Sequence, residues 1–201
     1  MGGPLVWIDC EMTGLDLDAD VLVEIAAVVT DAELVPLDAG ITRVIKPTPE
    51  ALAQMSEVVH DMHTASGLLP LLADGEDIAA VEAEVLAYVQ GHVPEPRKVP
   101  LAGNTVHMDR AFLAKQMPAL EAHLHYRDVD VSSIKELARR WFPRAYFAAP
   151  EKTGGHRALG DILDSIRELQ YYRRAVFVPA PGPDTESARA VAAGLDDNPP
   201  A

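Results

Sequence analysis

Trp7-Ile-Asp-Cys-Glu-Met-Thr-Gly-Leu-Asp16 is the stretch on which the reading of this chain turns. With Leu5 and Val6 ahead of it, it opens as a short apolar run and breaks at Thr13-Gly14, the pattern of a strand followed by a turn. A strand repeats its side-chain direction every second residue, so Asp9 and Glu11 share one face while Cys10 points to the other as a small core residue. Two carboxylates pressed together on an apolar strand repel each other unless a cation lies between them. Oxygen donors at this spacing suit a hard divalent ion. An Asp-x-Glu pair alone is common and usually solvated; its apolar setting is what favours metal binding here.

Two further segments supply the rest of a site. Asn104-Thr-Val-His-Met-Asp109 brings a third carboxylate in polar surroundings, and His156-Arg-Ala-Leu-Gly-Asp161 sets a histidine ahead of an amphipathic helix carrying a fourth. Taken singly, Asp109 and Asp161 read as helix-terminus residues, where negative charge is favourable anyway. His156 follows Thr153-Gly154-Gly155, a loop able to move, and suits a mobile general base. Together, four acids and one histidine point to a two-metal phosphodiesterase. His60, His92, His107, His123 and His125 show no zinc-type spacing, and His123 and His125 read as decoration of a helix-to-strand connection. Trp7 and Trp141 read as packing residues.

Outward from the first strand, residues 21–30 and 40–46 read as a second and third, the second nearly continuous in apolar residues and therefore central. Glu24 lies inside it. A buried carboxylate needs a partner, either in support of the site or as a locally satisfied structural group. Helical spacing predicts helices over 76–89, 107–117, 132–141 and 157–178, with short strands at 99–102 and 126–131. That order makes an α/β domain with a mixed sheet. From Pro179 apolar periodicity stops, and 179–201 hold four acids against one arginine. The expectation is a folded domain over residues 1–178 and a disordered, acidic, Pro/Ala-rich tail over 179–201.

With 201 residues the chain is large enough to bury a substantial core. Its single cysteine excludes an internal disulfide framework and fits a reducing compartment. No run approaches the roughly 18 apolar residues of a membrane span, and no secretory signal precedes the first strand, so the expected location is cytoplasmic. Lys plus Arg number 17 against 31 Asp plus Glu, a net charge of −14. Proteins that track long nucleic acids carry a basic footprint, because neutralising phosphates supplies much of their affinity. A nuclease of this charge would take a very short substrate.

The same words resemble the oligoribonucleases, 3′-to-5′ exoribonucleases of the DEDDh family. The resemblance runs from about Leu5 to Phe177. Beyond the opening stretch it rests on Glu24-Ile-Ala with Val28-Val-Thr-Asp31, His63-Thr-Ala-Ser-Gly-Leu68, Gly103-Asn104, Asp109-Arg110, His125-Tyr-Arg127 and Asp130-Val-Ser132. It continues through Lys135-Glu-Leu-Ala-Arg-Arg-Trp141 and His156-Arg-Ala-Leu159. It implies a ribonuclease H-like fold, a five-stranded mixed sheet flanked by helices. It implies two divalent cations, Mg²⁺ or Mn²⁺, held by Asp9, Glu11, Asp109 and Asp161 with Asp9 bridging, and His156 as general base.

The implied substrates are RNAs of about two to five nucleotides, above all 5′-phosphorylated diribonucleotides, cut to 5′-mononucleotides; long nucleic acid and membranes are not expected partners. The implied assembly is a homodimer. Leu15 would wedge against the bases, His63 would line the pocket, and Asn104 would join the substrate-binding set. Thr105, Arg127 and Ser132 would grip the 5′-phosphate, with Tyr126 and Arg127 reaching across from the partner. Arginine suits that task because its planar fork matches phosphate oxygens. The chain departs from the family in Val58, where many relatives carry Trp, so base stacking there is weaker or supplied elsewhere. Thr105 replaces a more usual serine and keeps the hydroxyl; His107 and Gly160 are less typical.

Two other readings stay open. A DEDDh exonuclease acting on longer DNA or RNA 3′ ends is disfavoured by the acidic balance. A catalytically silent dinucleotide-binding protein is disfavoured by the presence of all five catalytic positions.

Overall fold

Val6, Trp7 and Ile8 are fully buried because the strand they form, β1 (Leu5–Met12), runs through the middle of the sheet. The computed structural model describes residues 2–153 and 155–197. Gly154, on the loop before His156, and residues 198–201 of the expected tail lie outside the described residues. β1 pairs antiparallel with β2 (Leu22–Thr30), which pairs antiparallel with β3 (Ile41–Val44). Helices α1 (Pro49–Gln54) and α2 (Glu57–Ala65), a 3₁₀ turn (Leu69–Asp74) and α3 (Ile78–His92) then lead to β4 (Pro100–Gly103), parallel to β1. After α4 (His107–Gln116) and α5 (Pro118–His123) comes β5 (His125–Asp130), parallel to β4. The chain closes with α6 (Val131–Trp141), α7 (Pro143–Phe147), α8 (Ala158–Ala175) and α9 (Thr185–Asp197). The sheet order is β3-β2-β1-β4-β5, the expected five-stranded mixed sheet.

Strand alternation divides the interior in two. Val6, Ile8, Cys10 and Met12 pack with Val81, Val85 and Val89 of α3 and with Phe112 and Leu113 of α4. Trp7 packs on the other face with Ala138 of α6 and Ile162, Ile166 and Tyr172 of α8, and its Nε1 donates to Thr30 Oγ1 at 3.0 Å. Asp9 and Glu11 share Trp7's face, so they emerge beside α8. Truncating a fully buried ring such as Phe112 to alanine costs about 3–5 kcal/mol, which keeps the sheet a rigid platform for them.

Some expectations are corrected. The tail is not without structure: residues 185–197 form α9, started by Asp184, whose Oδ1 accepts the Ser187 N–H at 2.7 Å. Local capping and alanine content build this helix. Its side chains through Leu195 are exposed, the apolar Val191 and Leu195 included. Trp141 is 65% exposed at the end of α6 and does not pack in the core. His123 is buried, with Nε2 2.8 Å from Val93 O, rather than decorating a surface connection. The short helices α1 and α2 were not legible as apolar stripes; Thr48 and Ser56 cap them instead. Among the described residues, no helix is long and apolar enough to cross a membrane.

Candidate active site

Because β1 delivers Asp9 and Glu11 to the α8 side, Asp161 in the first turn of α8 meets them. One carboxylate oxygen from each of the three lies within 4.8 Å of the other two. Burial, then the charges of Asp109, Glu11 and Asp161, push the Asp9 carboxyl up to about 9. Burial followed by Asp161 and Glu24 raises Glu11 to about 7. The Asp161 carboxyl is raised too, chiefly by burial, with His156 and Lys152 pulling it back. Three oxygen donors held together against their own repulsion form a site that a hard divalent cation would relieve. The donor set of Asp9, Glu11 and Asp161 therefore fits a hard divalent cation.

Asp109, on the first turn of α4, stands beside this group. Its Oδ1 accepts the Cys10 N–H at 3.0 Å, and burial raises it to about 7 in spite of that bond. Its charge acts directly on Asp9. His156 is exposed, at the end of the loop before α8, in the left-handed region with φ 58°. Its charge reaches Asp161. Cys10, packed in the apolar core on the other face of β1, has its thiol pushed well up by burial and then by the nearby charges of Asp109, Asp9 and Glu11.

Leu15 is 70% exposed on the loop leaving β1. Asp20 shapes that loop, accepting Thr13 Oγ1 at 2.8 Å and the Asp16 N–H at 2.9 Å. Its carboxylate fills the space a Cβ at Gly14 would need, 2.3 Å away. Lys115 of α4 donates to Leu17 O and, at 2.8 Å, to Asp18 Oδ1. His63, by contrast, is fully buried on α2. Its Nε2 lies 2.8 Å from Met12 O, while Nδ1 has no hydrogen-bond partner and faces Glu11 Oε2 at 4.0 Å. It sits against the carboxylate group itself. Val58, on the same helix, is exposed.

A second polar group forms where β4 and β5 end. Thr105 takes a left-handed φ of 57°, which turns its N–H onto Asp130 Oδ1 at 3.0 Å and Ser132 Oγ at 2.9 Å. Its hydroxyl lies 3.1 Å from Ser132 Oγ, which in turn donates to Asn104 Oδ1 at 3.0 Å. Asn104 Nδ2 donates to Ser165 Oγ at 2.8 Å and to Glu168 Oε2 at 3.1 Å. Asp161, Ser165 and Glu168 are four and three residues apart, so one face of α8 joins the carboxylates to the Asn104–Thr105–Ser132 group. Tyr126 and Arg127 lie apart from this network, exposed on β5, with the Arg127 guanidinium 5.4 Å over the Tyr126 ring.

Two residues of the site escaped sequence reasoning. Asp130 caps α6, accepting the Ser132 N–H at 2.8 Å as well as the Thr105 N–H; an aspartate two residues before Ser132 is the cap signal that could have marked it. Glu168 is buried and binds Lys135 at 3.1 Å besides Asn104. Its place seven residues after Asp161 is the only sequence cue.

A family model described as an exonuclease, RNase_T, matches residues 6–169. The chain is 63% identical over 193 residues to an oligoribonuclease of Streptomyces avermitilis, covering 96% of each. It is 62% identical over 191 residues to that of Leifsonia xyli, covering 95% of this chain and 92% of the relative. Among solved structures, E. coli exonuclease I in complex with a dT13 oligonucleotide superimposes with a TM-score of 0.67 at 17% identity. That alignment takes in 87% of this chain and 42% of the other, so the chain spans about two-fifths of that protein's length. This likeness gives the ribonuclease H-like fold. From the family match and the close relatives, the chain belongs to the exonuclease family and, within it, to the oligoribonucleases.

Proposed function

We propose that Asp9, Glu11, Asp109 and Asp161 hold two divalent cations, Mg²⁺ or Mn²⁺, and that His156 is the general base of the reaction. As an oligoribonuclease, the chain is a 3′-to-5′ exoribonuclease of short oligoribonucleotides; our proposal adds diribonucleotides as its chief substrates. The observation that carries it is the approach of the Asp9, Glu11 and Asp161 oxygens to within 4.8 Å of one another. When bound, the cations supply Lewis acidity at the scissile phosphodiester.

His156 takes a proton from the attacking water. The water oxygen bonds to phosphorus, the bond from phosphorus to the 3′-oxygen breaks, that oxygen takes a proton from solvent water, and exposed His156 returns its own proton to solvent, leaving a 5′-mononucleotide. Thr105 and Ser132, with Arg127 of a second copy, receive the substrate's 5′-phosphate, Asn104 holds Ser132 in place, Leu15 packs against the bases, and His63 backs the pocket beside Glu11. A grip on the 5′-phosphate and a metal site at the scissile bond, joined by one face of α8, set a short distance between substrate ends. The acidic surface offers longer strands no compensating attraction.

The working unit in this proposal is a homodimer. Trp141 of α6, Phe142 at the junction and Phe147 of α7 leave large apolar side chains uncovered, a surface suited to a second copy. Tyr126 and Arg127 would then serve the partner's site. The test is release of 5′-mononucleotide from 5′-phosphorylated diribonucleotide with Mn²⁺ or Mg²⁺. Loss of that release with EDTA and in Asp9→Ala supports the reading; full activity in Asp9→Ala contradicts it.

A further inference from the structure

Glu24 is fully buried in the central region of the sheet, and the chemistry above gives it no task. Both of its oxygens are nonetheless taken, by one junction far along the chain. Arg157 Nε lies 3.0 and 3.2 Å from Oε1 and Oε2, Arg157 Nη2 lies 2.7 Å from Oε1, and the Ala158 backbone N–H donates to Oε2 at 2.9 Å. Ala158 is the first residue of α8, and the residue preceding it makes no side-chain cap. A carboxylate on β2 thus caps this helix from across the sheet, where it also meets the positive end of the helix dipole.

The junction falls directly after His156. Gly155 and His156 are both left-handed, with φ of 68° and 58°, and the next residue is the one Glu24 grips. The loop's freedom therefore ends at Arg157. From there the helix is in register, with the Asp161 N–H donating to Arg157 O at 3.0 Å. Glu24 is fully buried while the Arg157 side chain is 35% exposed, and burying a carboxylate is an inefficient way to gain stability, because desolvation offsets the attraction of its partner. An apolar pair would not fix the direction of the backbone entering α8, whereas a guanidinium fork on two oxygens does.

We propose that Glu24 and Arg157 are positioning residues, the pivot that aims His156. The inference rests on the reading of His156 as general base. Neither residue touches substrate in this account; each acts through the histidine beside the junction.

The test is a double-mutant cycle in kcat and KM on a diribonucleotide with Mn²⁺. Arg157→Gln alone strands a buried carboxylate, so the paired change Glu24→Gln with Arg157→Gln, neutral and of similar volume, is the main variant. It should lower kcat about 10- to 100-fold, the scale of misplacing a reacting group by an ångström, with KM unchanged within about 2-fold. Arg157→Lys, which keeps charge and loses the fork, should fall between, and serves if the paired variant does not fold.

His156→Ala should by itself cost about 10²–10⁴-fold. In the His156→Ala background, either Arg157 change should then have no further effect beyond about 2-fold. Near-parental kcat in both pivot variants, or an undiminished loss when His156 is already alanine, would overturn the proposal. Near-normal turnover in His156→Ala would remove the base reading itself, a result distinct from a failure of the pivot.

Discussion

Glu11 and Glu24 stand opposite each other across β1 and β2, and the fold treats the two carboxylates in opposite ways. Glu24 is satisfied by Arg157 and the start of α8. Glu11 faces the unpaired Nδ1 of His63 at 4.0 Å, close to Asp9 and Asp161, and is raised to about 7. One member of the pair is satisfied within the chain; the other is held among like charges, a repulsion that the proposed cations would relieve.

That repulsion is measurable as stability. Asp9→Asn removes the most strongly perturbed carboxyl while keeping its shape. Without metal, it should raise Tm by about 2–4 °C, the shift that ~1 kcal/mol gives a domain of this size. Turnover should vanish in the same variant. Thermal melts in EDTA and a diribonucleotide assay check both, and an unchanged or lower Tm would show that the cluster is not under repulsion.

The pH dependence has a definite sign. Asp9 rises from 3.8 to about 9, and Glu11 and Asp109 rise to about 7. Acids with raised native values contribute stability that is complete below about pH 4 and is lost as pH climbs through 7 to 9. The metal-free protein should therefore melt lower at pH 8.5 than at 5.5, and saturating Mn²⁺ should flatten the difference. Metal uptake near pH 7 should release protons, read as a calorimetric heat that varies with buffer ionisation enthalpy.

Asp130 joins the Thr105 backbone to the start of α6. Asp130→Ala should cost about 1 kcal/mol through the lost cap. It should also raise KM for a 5′-phosphorylated diribonucleotide about 10-fold, equivalent to ~1.4 kcal/mol, with kcat held within about 3-fold. Melting and steady-state kinetics separate the two effects. The same substitution should leave KM unaltered on a diribonucleotide without the 5′-phosphate.

Trp141, 65% exposed, is the largest uncovered apolar side chain of α6. Trp141→Glu should convert a dimer of twice 21.7 kDa to monomer in sedimentation, and activity should fall with it. A monomeric parent protein would remove the partner-supplied roles of Tyr126 and Arg127.

The paired acids of β1 were legible because two short-range rules, strand alternation and the cost of crowding carboxylates in apolar surroundings, suffice to place them. The mixed sheet followed from apolar runs for the same reason. The Asn104–Thr105–Ser132 group was legible only through resemblance, since nothing in the residue types announces a left-handed Thr105. Glu24 showed that a partner was required and gave no hint that it lay 133 residues away. Trp141 was misread because helical spacing places it on the apolar face of α6, and spacing alone does not tell that the core ends before the last residue of that helix. Helix α9 was missed because the Pro, Gly and acidic composition of 179–201 outweighed a short stripe of Ala188, Val191, Ala192 and Leu195.

The most direct measurement sets 5′-labelled diribonucleotide against a labelled seven-nucleotide RNA, with Mn²⁺, Mg²⁺ or EDTA. The account predicts fast, metal-dependent cleavage of the dinucleotide and slow cleavage of the longer RNA. Equal or faster loss of the longer RNA would contradict it, and would direct attention to exposed Val58 as the place where the grip on short substrates is relaxed.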